Sequence, residues 1–272
     1  MITTDPLYVI ESASKIDGTV DIVLYDSSST FEFRARHNHL LHILKPNVVE
    51  SELISFDVND MTARACDMII DQSISLSHDK TVMIYGCGKI GKLIAQKLIT
   101  RGFKLLIVGR SRIWLESIRD SLKSSNEISL LAKNDKHFHT KLRSLCENTD
   151  VIVSSVPSGN RVISLGMVEK LPDDCLIIDL GINTIYPHAI ETANRLQKKM
   201  IRLDIIAAFH GELKGILETR KLIKNIKSIN TPDATYVSGG YIGKRGDIVL
   251  RNINDKTSVI GIADGRGGIV HD

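Results

Sequence analysis

The chain has 272 residues, of which 43% are apolar, 25% charged and 5% aromatic. These values are ordinary for globular proteins and exclude collagen-like, coiled-coil and disordered chains. The formal charge of +3, from 35 basic and 32 acidic residues, is too balanced for a general nucleic-acid-binding surface. No apolar run reaches the ~18 residues of a membrane helix, and the first residues lack a secretory pattern. We therefore expect a cytoplasmic protein with neither a nucleic acid nor a membrane as partner.

The N-terminal part of the chain contains short strand-like runs. We predict strands over 20–25, 31–35 and 53–57, with a turn at Ser27-Ser28-Ser29 between the first two. A helix follows, because Cys66, Ile69, Ile70 and Ile74 repeat at helical spacing, and Asp60 is its predicted cap.

The middle of the chain alternates strand-like and helix-like segments, which is typical of a parallel sheet flanked by helices. A helix over 89–101, with Gly102 as its stop, lies between the first two strands. The strands are short, rich in Ile, Val and Leu, and predicted over 81–85, 104–108, 150–154, 175–180 and 200–204.

The C-terminal part is again strand-rich, with predicted strands over 247–252 and 258–263 joined at Asn254-Asp255. Strands at both ends suggest one small domain built from both termini. A separate dimerisation ribbon at the C-terminus is the alternative.

The four cysteines are scattered without paired spacing, and three lie inside apolar runs. We expect them to be reduced and mostly buried. They are Cys66, Cys87, Cys146 and Cys175.

The sharpest motif is G-x-G-x-x-G, formed by Gly86, Gly88 and Gly91 between a strand and a helix. Gly86 permits a tight turn, Gly88 lets the backbone approach a pyrophosphate, and Gly91 lets helix and strand pack closely. The free amides of the helix N-terminus favour phosphate oxygens. We therefore predict dinucleotide binding by Gly86, Gly88, Lys89, Ile90 and Gly91. The alternative is a sheet that has kept the loop without the dinucleotide.

The end of the second strand indicates which dinucleotide is bound. An NAD site usually places Asp or Glu there, whereas this chain has Arg110, Ser111 and Arg112. Guanidinium groups and a hydroxyl bind a 2′-phosphate with charge-assisted hydrogen bonds, and a carboxylate would repel it. These residues predict NADP as the cofactor. The alternative is that both arginines are solvated loop charges.

Two further turns follow strands that end at the same edge of the sheet. Ser155, Val156 and Pro157 are predicted to border the nicotinamide ribose, and Gly181 to let the nicotinamide approach closely. Asp179 is either part of this site or a structural residue that bridges loops.

Several of these segments resemble a group of Rossmann oxidoreductases. Thr62-Ala63-Arg64-Ala65 resembles the ornithine cyclodeaminase and ketimine reductase family. The run 150–159 is similar to the equivalent turn of that family, of shikimate dehydrogenases and of glutamyl-tRNA reductases. The run 177–183 resembles methylenetetrahydrofolate dehydrogenases. The resemblance covers about 60–213 and implies an NAD(P)-dependent enzyme that acts on a small polar metabolite, with Arg64 binding its carboxylate.

The remaining candidates are groups that would hold a substrate or move a proton. Lys45, Arg64 and Asn183 are candidates for substrate binding. His210 follows a predicted strand and is the candidate catalytic acid, because a neutral histidine is suited to proton transfer near pH 7. The alternative role for His210 is to cap the next helix. We predict no metal site, because His37, His39 and His42 have no nearby carboxylate or cysteine to complete a ligand set.

Together these observations predict an α/β protein with a doubly wound, mostly parallel Rossmann sheet and a small β-containing second domain from both termini. Residues 1–60 are the predicted start of a substrate and dimerisation domain, 61–227 the NADP-binding domain, and 228–272 a β-rich segment that returns to the small domain. The predicted activity is NADP-dependent hydride transfer to or from a carbonyl, imine or amine of a small carboxylated metabolite, by a homodimer. The alternatives are a non-catalytic dinucleotide sensor and a reductase of a substrate bound to tRNA or a protein carrier.

Overall fold

A computed structural model describes residues 5–28, 30–33, 36–74, 79–122 and 127–271, with only the backbone given for Pro6, 30–33, 36–39 and Ala207. The chain divides into two compact units, 1–208 and 209–272. Ala35 and Ser29, which belong to a predicted strand and a predicted turn, lie outside the described residues.

The N-terminal segment of the first unit contains both helices and strands. Its elements are α1 (Pro6–Ile16), β1 (Ile22–Asp26), β2 (Thr30–Phe33), β3 (Arg36–His39), α2 (Leu40–Leu44) and β4 (Glu52–Phe56). Strand β1 pairs in parallel with β4, and β2 pairs antiparallel with β3. Helix α1 was not predicted. Its start follows a common pattern, an N-cap aspartate, Asp5, directly before a proline.

The core of the first unit is a six-stranded sheet in the order β10-β9-β8-β5-β6-β7, as far as the described residues show, and every pairing in it is parallel. Its strands and helices are α3 (Val58–Ser73), β5 (Thr81–Tyr85), α4 (Lys89–Thr100), β6 (Lys104–Gly109), α5 (Arg112–Leu122), β7 (Ile128–Ala132), α6 (Phe138–Cys146), β8 (Val151–Ser154), α7 (Leu165–Val168), β9 (Leu176–Asp179), α8 (Pro187–Arg195) and β10 (Met200–Arg202). The predicted fold class is confirmed.

Both faces of this sheet are covered, which explains why its strands are continuously apolar. Alternate strand residues join one of two buried clusters: Val82 and Ile84 pack on the side of α3 and α4, whereas Met83 and Tyr85 pack on the side of α6, α7 and α8. All four cysteines are buried and unpaired, as predicted.

The start of α3 corrects one prediction. Asp57, rather than Asp60, caps this helix, because its carboxylate accepts hydrogen bonds from the amides of Asn59 at 2.8 Å and Asp60 at 3.3 Å. Asp60 lies in the first turn and forms ion pairs with Arg64 at 3.0 Å and Lys97 at 3.5 Å. The latter pair ties α3 to α4.

The second unit contains most of α9 (Ile206–Asn225) and a five-stranded sheet in the order β11-β12-β13-β14-β15. The strands are β11 (Ser228–Asn230), β12 (Thr235–Ser238), β13 (Ile248–Leu250), β14 (Val259–Ala263) and β15 (Ile269–Val270). Within the described ranges, strands from the two ends of the chain share no sheet. The single small domain from both termini therefore stays a prediction.

No helix in the described part of the chain is both long enough and apolar enough to cross a membrane.

Candidate dinucleotide site

The glycine loop after β5 is held against its neighbours without room for side chains. Gly86 has φ +91°, and a Cβ there would lie 2.6 Å from Val156 Cγ1 and 2.7 Å from the Ser155 carbonyl. A Cβ on Gly91 would overlap the Gly86 carbonyl oxygen. The positive φ of Gly86 fits the tight turn that we predicted there, and Gly91 allows the predicted close packing of α4 on the loop.

Gly88 is different, because a Cβ there would meet no described atom within 4 Å. It is the N-cap of α4, and no side chain there accepts a hydrogen bond from the first amides of the helix. The first amides of a helix have no partner within the helix, and together with the positive end of the helix dipole they attract an anion such as a phosphate. These features fit the pyrophosphate of a dinucleotide.

The other residues of the loop take different environments. Lys89 is exposed at the first position of α4, and its Nζ lies 3.9 Å from Asp57 Oδ2. Ile90 is half-buried and packs on the core, which gives it a structural role in addition to the predicted one. Burial raises the pKa of Cys87 to about 12, so its thiol is neutral at pH 7.

The loops after β8 and β9 continue the same edge of the sheet. The Ser155 amide donates to the Tyr85 carbonyl at 2.8 Å, which joins the β8 loop to the end of β5. A Cβ on Gly181 would overlap the Val156 carbonyl oxygen and lie 2.6 Å from Thr184 Cγ2. Gly181 is thus required by the contact between the two loops, whatever the cofactor does.

Asp179 proves to be the residue that holds the β9 turn together. It is 6% exposed and accepts hydrogen bonds from the Gly181 amide at 3.1 Å and the Thr184 hydroxyl at 2.7 Å. The turn between those partners contains two non-glycine residues in the left-handed region, Ile182 and Asn183, each with φ +59°.

The two arginines after β6 have different surroundings. Arg112 pairs with Asp135 at 2.5 Å, and its Nη1 donates to the Leu130 carbonyl at 3.3 Å. Arg110 is exposed and forms no hydrogen bond or ion pair with any residue that the structure describes. Ser111 is also exposed. Arg110 therefore has the free guanidinium, and the role of Arg112 toward a cofactor stays a prediction.

Trp114 lies close to these arginines in the sequence, within the first turn of α5. Its Nε1 donates to the Cys87 carbonyl in the glycine loop at 3.3 Å, while the side chain remains more than half exposed. It is the only tryptophan in the sequence, so its emission reports on this loop alone.

A family model described as shikimate/quinate 5-dehydrogenase matches residues 69–206, which include the glycine loop and the β8 and β9 turns. The chain belongs to this family. It is an NAD(P)-dependent oxidoreductase with a Rossmann domain, which confirms the predicted enzyme class.

Two solved structures are similar to part of the chain. A dipicolinate synthase chain from Bacillus halodurans is 16% identical, with a TM-score of 0.43 over 68% of this chain and 72% of that one. Glutamyl-tRNA reductase from Methanopyrus kandleri is 21% identical, with a TM-score of 0.43 over 60% of this chain and 41% of that one. No curated protein matches the sequence significantly.

The predicted substrate and proton-transfer residues belong to different elements of the chain. Asn183 lies in the exposed β9 turn, and Lys45 is exposed after α2. Arg64 is paired with Asp60 on α3. His210 is an exposed residue within α9, in the second unit, rather than in a turn directly after a strand. Their roles stay predictions.

Three residues of this region were not anticipated: Trp114, Asp135 and Ile182. Trp114 is found only from its indole bond to the glycine loop. Asp135 follows β7, a strand that we did not predict from its short run. The signal at Ile182 is a backbone angle, and residue type alone gives no warning of a β-branched residue in the left-handed region.

Gly88→Val and Gly91→Val separate the binding role from the packing role. We expect Gly88→Val to fold normally, because a side chain there has open space, and to lose NADPH binding, because that side chain would stand where the pyrophosphate is expected to approach the backbone. Gly91→Val should be destabilised by more than the ~1–3 kcal/mol of ordinary overpacking, because its Cβ meets backbone. NADPH binding is measured by quenching of Trp114 emission and unfolding by circular dichroism. Parental NADPH affinity in folded Gly88→Val would refute the site.

Proposed function

We propose that the protein is an NADP-dependent oxidoreductase that transfers a hydride to or from a carbonyl, imine or amine of a small carboxylated metabolite. The observation that carries the proposal is the pairing of an open α4 N-terminus at Gly88 with a free arginine, Arg110, directly after β6. Family membership supports the reaction class.

The preference for NADP is supported by charge. Arg110 stands where an NAD enzyme would carry a carboxylate for the ribose 2′-hydroxyl. Its free guanidinium has five donors for a 2′-phosphate. The carboxylate of Asp135, which follows β7, is paired with Arg112 at 2.5 Å and is thereby largely neutralised.

In this proposal each part of the site has one task. The amides at the start of α4 hold the pyrophosphate, and Arg110 holds the 2′-phosphate. A bound nicotinamide would supply or accept the hydride. Asn183, Lys45 and Arg64 are the candidates for orienting the metabolite, with Lys45 and Arg64 suited to a carboxylate. His210 is the candidate for adding or removing the proton that accompanies reduction or oxidation.

Arg110→Ala tests the cofactor preference. We expect the affinity for NADP⁺ to fall about tenfold or more, because a charge-assisted hydrogen bond contributes ~1.5–3 kcal/mol, and the affinity for NAD⁺ to stay unchanged. Arg119→Ala is the matched control, since Arg119 is an exposed arginine on α5 that pairs with Asp120. Calorimetry that finds equal affinities for NAD⁺ and NADP⁺ in the parent protein would contradict the proposal.

His210→Asn tests the proton-transfer role. If His210 is the acid or base, the variant should keep parental NADP⁺ affinity and lose turnover by roughly 10²–10⁴-fold. Turnover is followed by NADPH absorbance with a panel of carboxylated carbonyl and imine compounds. Because His210 is exposed, its substitution should hardly change the unfolding temperature. Normal turnover in the folded variant would remove His210 from the mechanism.

A further inference from the structure

The turn after β9 combines strain with unusually firm anchoring. Ile182 has φ +59°, a conformation that is rare and strained for a β-branched residue. Its side chain is 48% exposed, so packing against the protein offsets this cost only in part. Glycine or asparagine would adopt the same conformation at lower cost. A branched apolar side chain at this position therefore has little value for the protein alone.

Three groups of hydrogen bonds hold the turn. Asp179 accepts the first group, from the Gly181 amide and the Thr184 hydroxyl. The second group comes from the β8 loop, where the Gly159 amide and the Ser158 hydroxyl donate to the Ile182 carbonyl at 3.1 and 3.3 Å.

In the third group, the amides of Val162 and Ile163 donate to the Thr184 carbonyl at 2.7 and 3.2 Å. The turn is thus fixed in its strained form, which is a pattern found where proteins contact ligands.

The position of the turn identifies what it would contact. A dinucleotide lies across the carboxyl ends of the strands, with its pyrophosphate at the α4 N-terminus. In the proposed function Arg110, directly after β6, binds the 2′-phosphate, so the adenosine half of the dinucleotide lies on the side of β6 and β7. The sheet order β10-β9-β8-β5-β6-β7 then leaves the nicotinamide half on the side of β8 and β9, where Ile182 lies.

We propose that Ile182 is the apolar support for the nicotinamide ring of the bound dinucleotide. This inference rests on the proposed function. The strained backbone presents the Ile182 side chain to solvent at the edge of the sheet, and a planar ring packs favourably on such a surface. Ile182 is therefore a cofactor-positioning residue, whose contribution concerns the nicotinamide end and leaves the adenosine end unaffected.

The affinities of two compounds for Ile182 variants test this inference without any measurement of activity. The probes are NADP⁺ and 2′-phospho-ADP-ribose, which has the same adenosine end without nicotinamide. In Ile182→Gly we expect affinity for NADP⁺ to fall about tenfold, because the variant removes most of an apolar contact, while affinity for 2′-phospho-ADP-ribose stays parental. Both affinities are measured by calorimetry.

The matched control is Gln197→Gly. Gln197 also has a positive φ, +54°, and precedes β10, so it lies toward the amino ends of the strands, whereas Ile182 follows the carboxyl end of β9. Both variants place one glycine in a left-handed position, which glycine adopts without strain, so both should fold, and Gln197→Gly should bind both probes as the parent does. Ile182→Asn serves as a second variant, because asparagine tolerates the left-handed region, and it should lose the same NADP⁺ affinity as Ile182→Gly.

The outcomes are distinct. If the parent binds neither probe, the proposed function is wrong. If the parent binds both probes and the two Ile182 variants keep parental NADP⁺ affinity, or lose affinity for both probes equally, the proposed function stands and the role of Ile182 is overturned. Loss confined to NADP⁺ supports it.

Discussion

The close contact between α4 and the glycine loop determines the geometry of the whole candidate site. Gly91 lies against the Gly86 carbonyl with no room for a side chain, which fixes the N-terminus of α4 at the carboxyl edge of the sheet. The same loop packs at Gly86 on Val156, and the Val156 carbonyl in turn packs on Gly181. Three loops from three neighbouring strands are thus in backbone contact. These contacts exclude side chains at Gly86, Gly91 and Gly181, whereas Gly88 has open space around it.

This rigid edge makes the strain at Ile182 possible. A left-handed β-branched residue persists only where its surroundings over-determine the backbone, and the buried Asp179 supplies that constraint from inside the turn. Asp179 is itself fully used by the Gly181 amide and the Thr184 groups. It therefore belongs to the structure of the turn.

Much of the sheet is predictable from the sequence, because buried parallel strands are continuous apolar runs. Thr81–Tyr85 was predicted with the bounds that the structure has, and the glycine loop was placed by its spacing. Ile128–Ala132 was missed, because the exposed Ser129 interrupts its apolar run and only its last two residues are fully buried. Side-chain partners are the least predictable part. Arg110 and Arg112 look equivalent in sequence, and only the fold brings Asp135 to one of them.

That ion pair also bears on the proposed binding of a 2′-phosphate, because one of its members is an aspartate. The Ala132 amide and the Arg112 guanidinium hold the pKa of Asp135 below its ordinary value, so Asp135 is ionised at pH 7. Unpaired, this carboxylate would repel a phosphate dianion. Paired with Arg112 at 2.5 Å it is close to neutral at a distance, and the positive field of Arg110 remains uncompensated. In the proposed function, Arg112 therefore favours NADP indirectly, by cancelling the charge of Asp135.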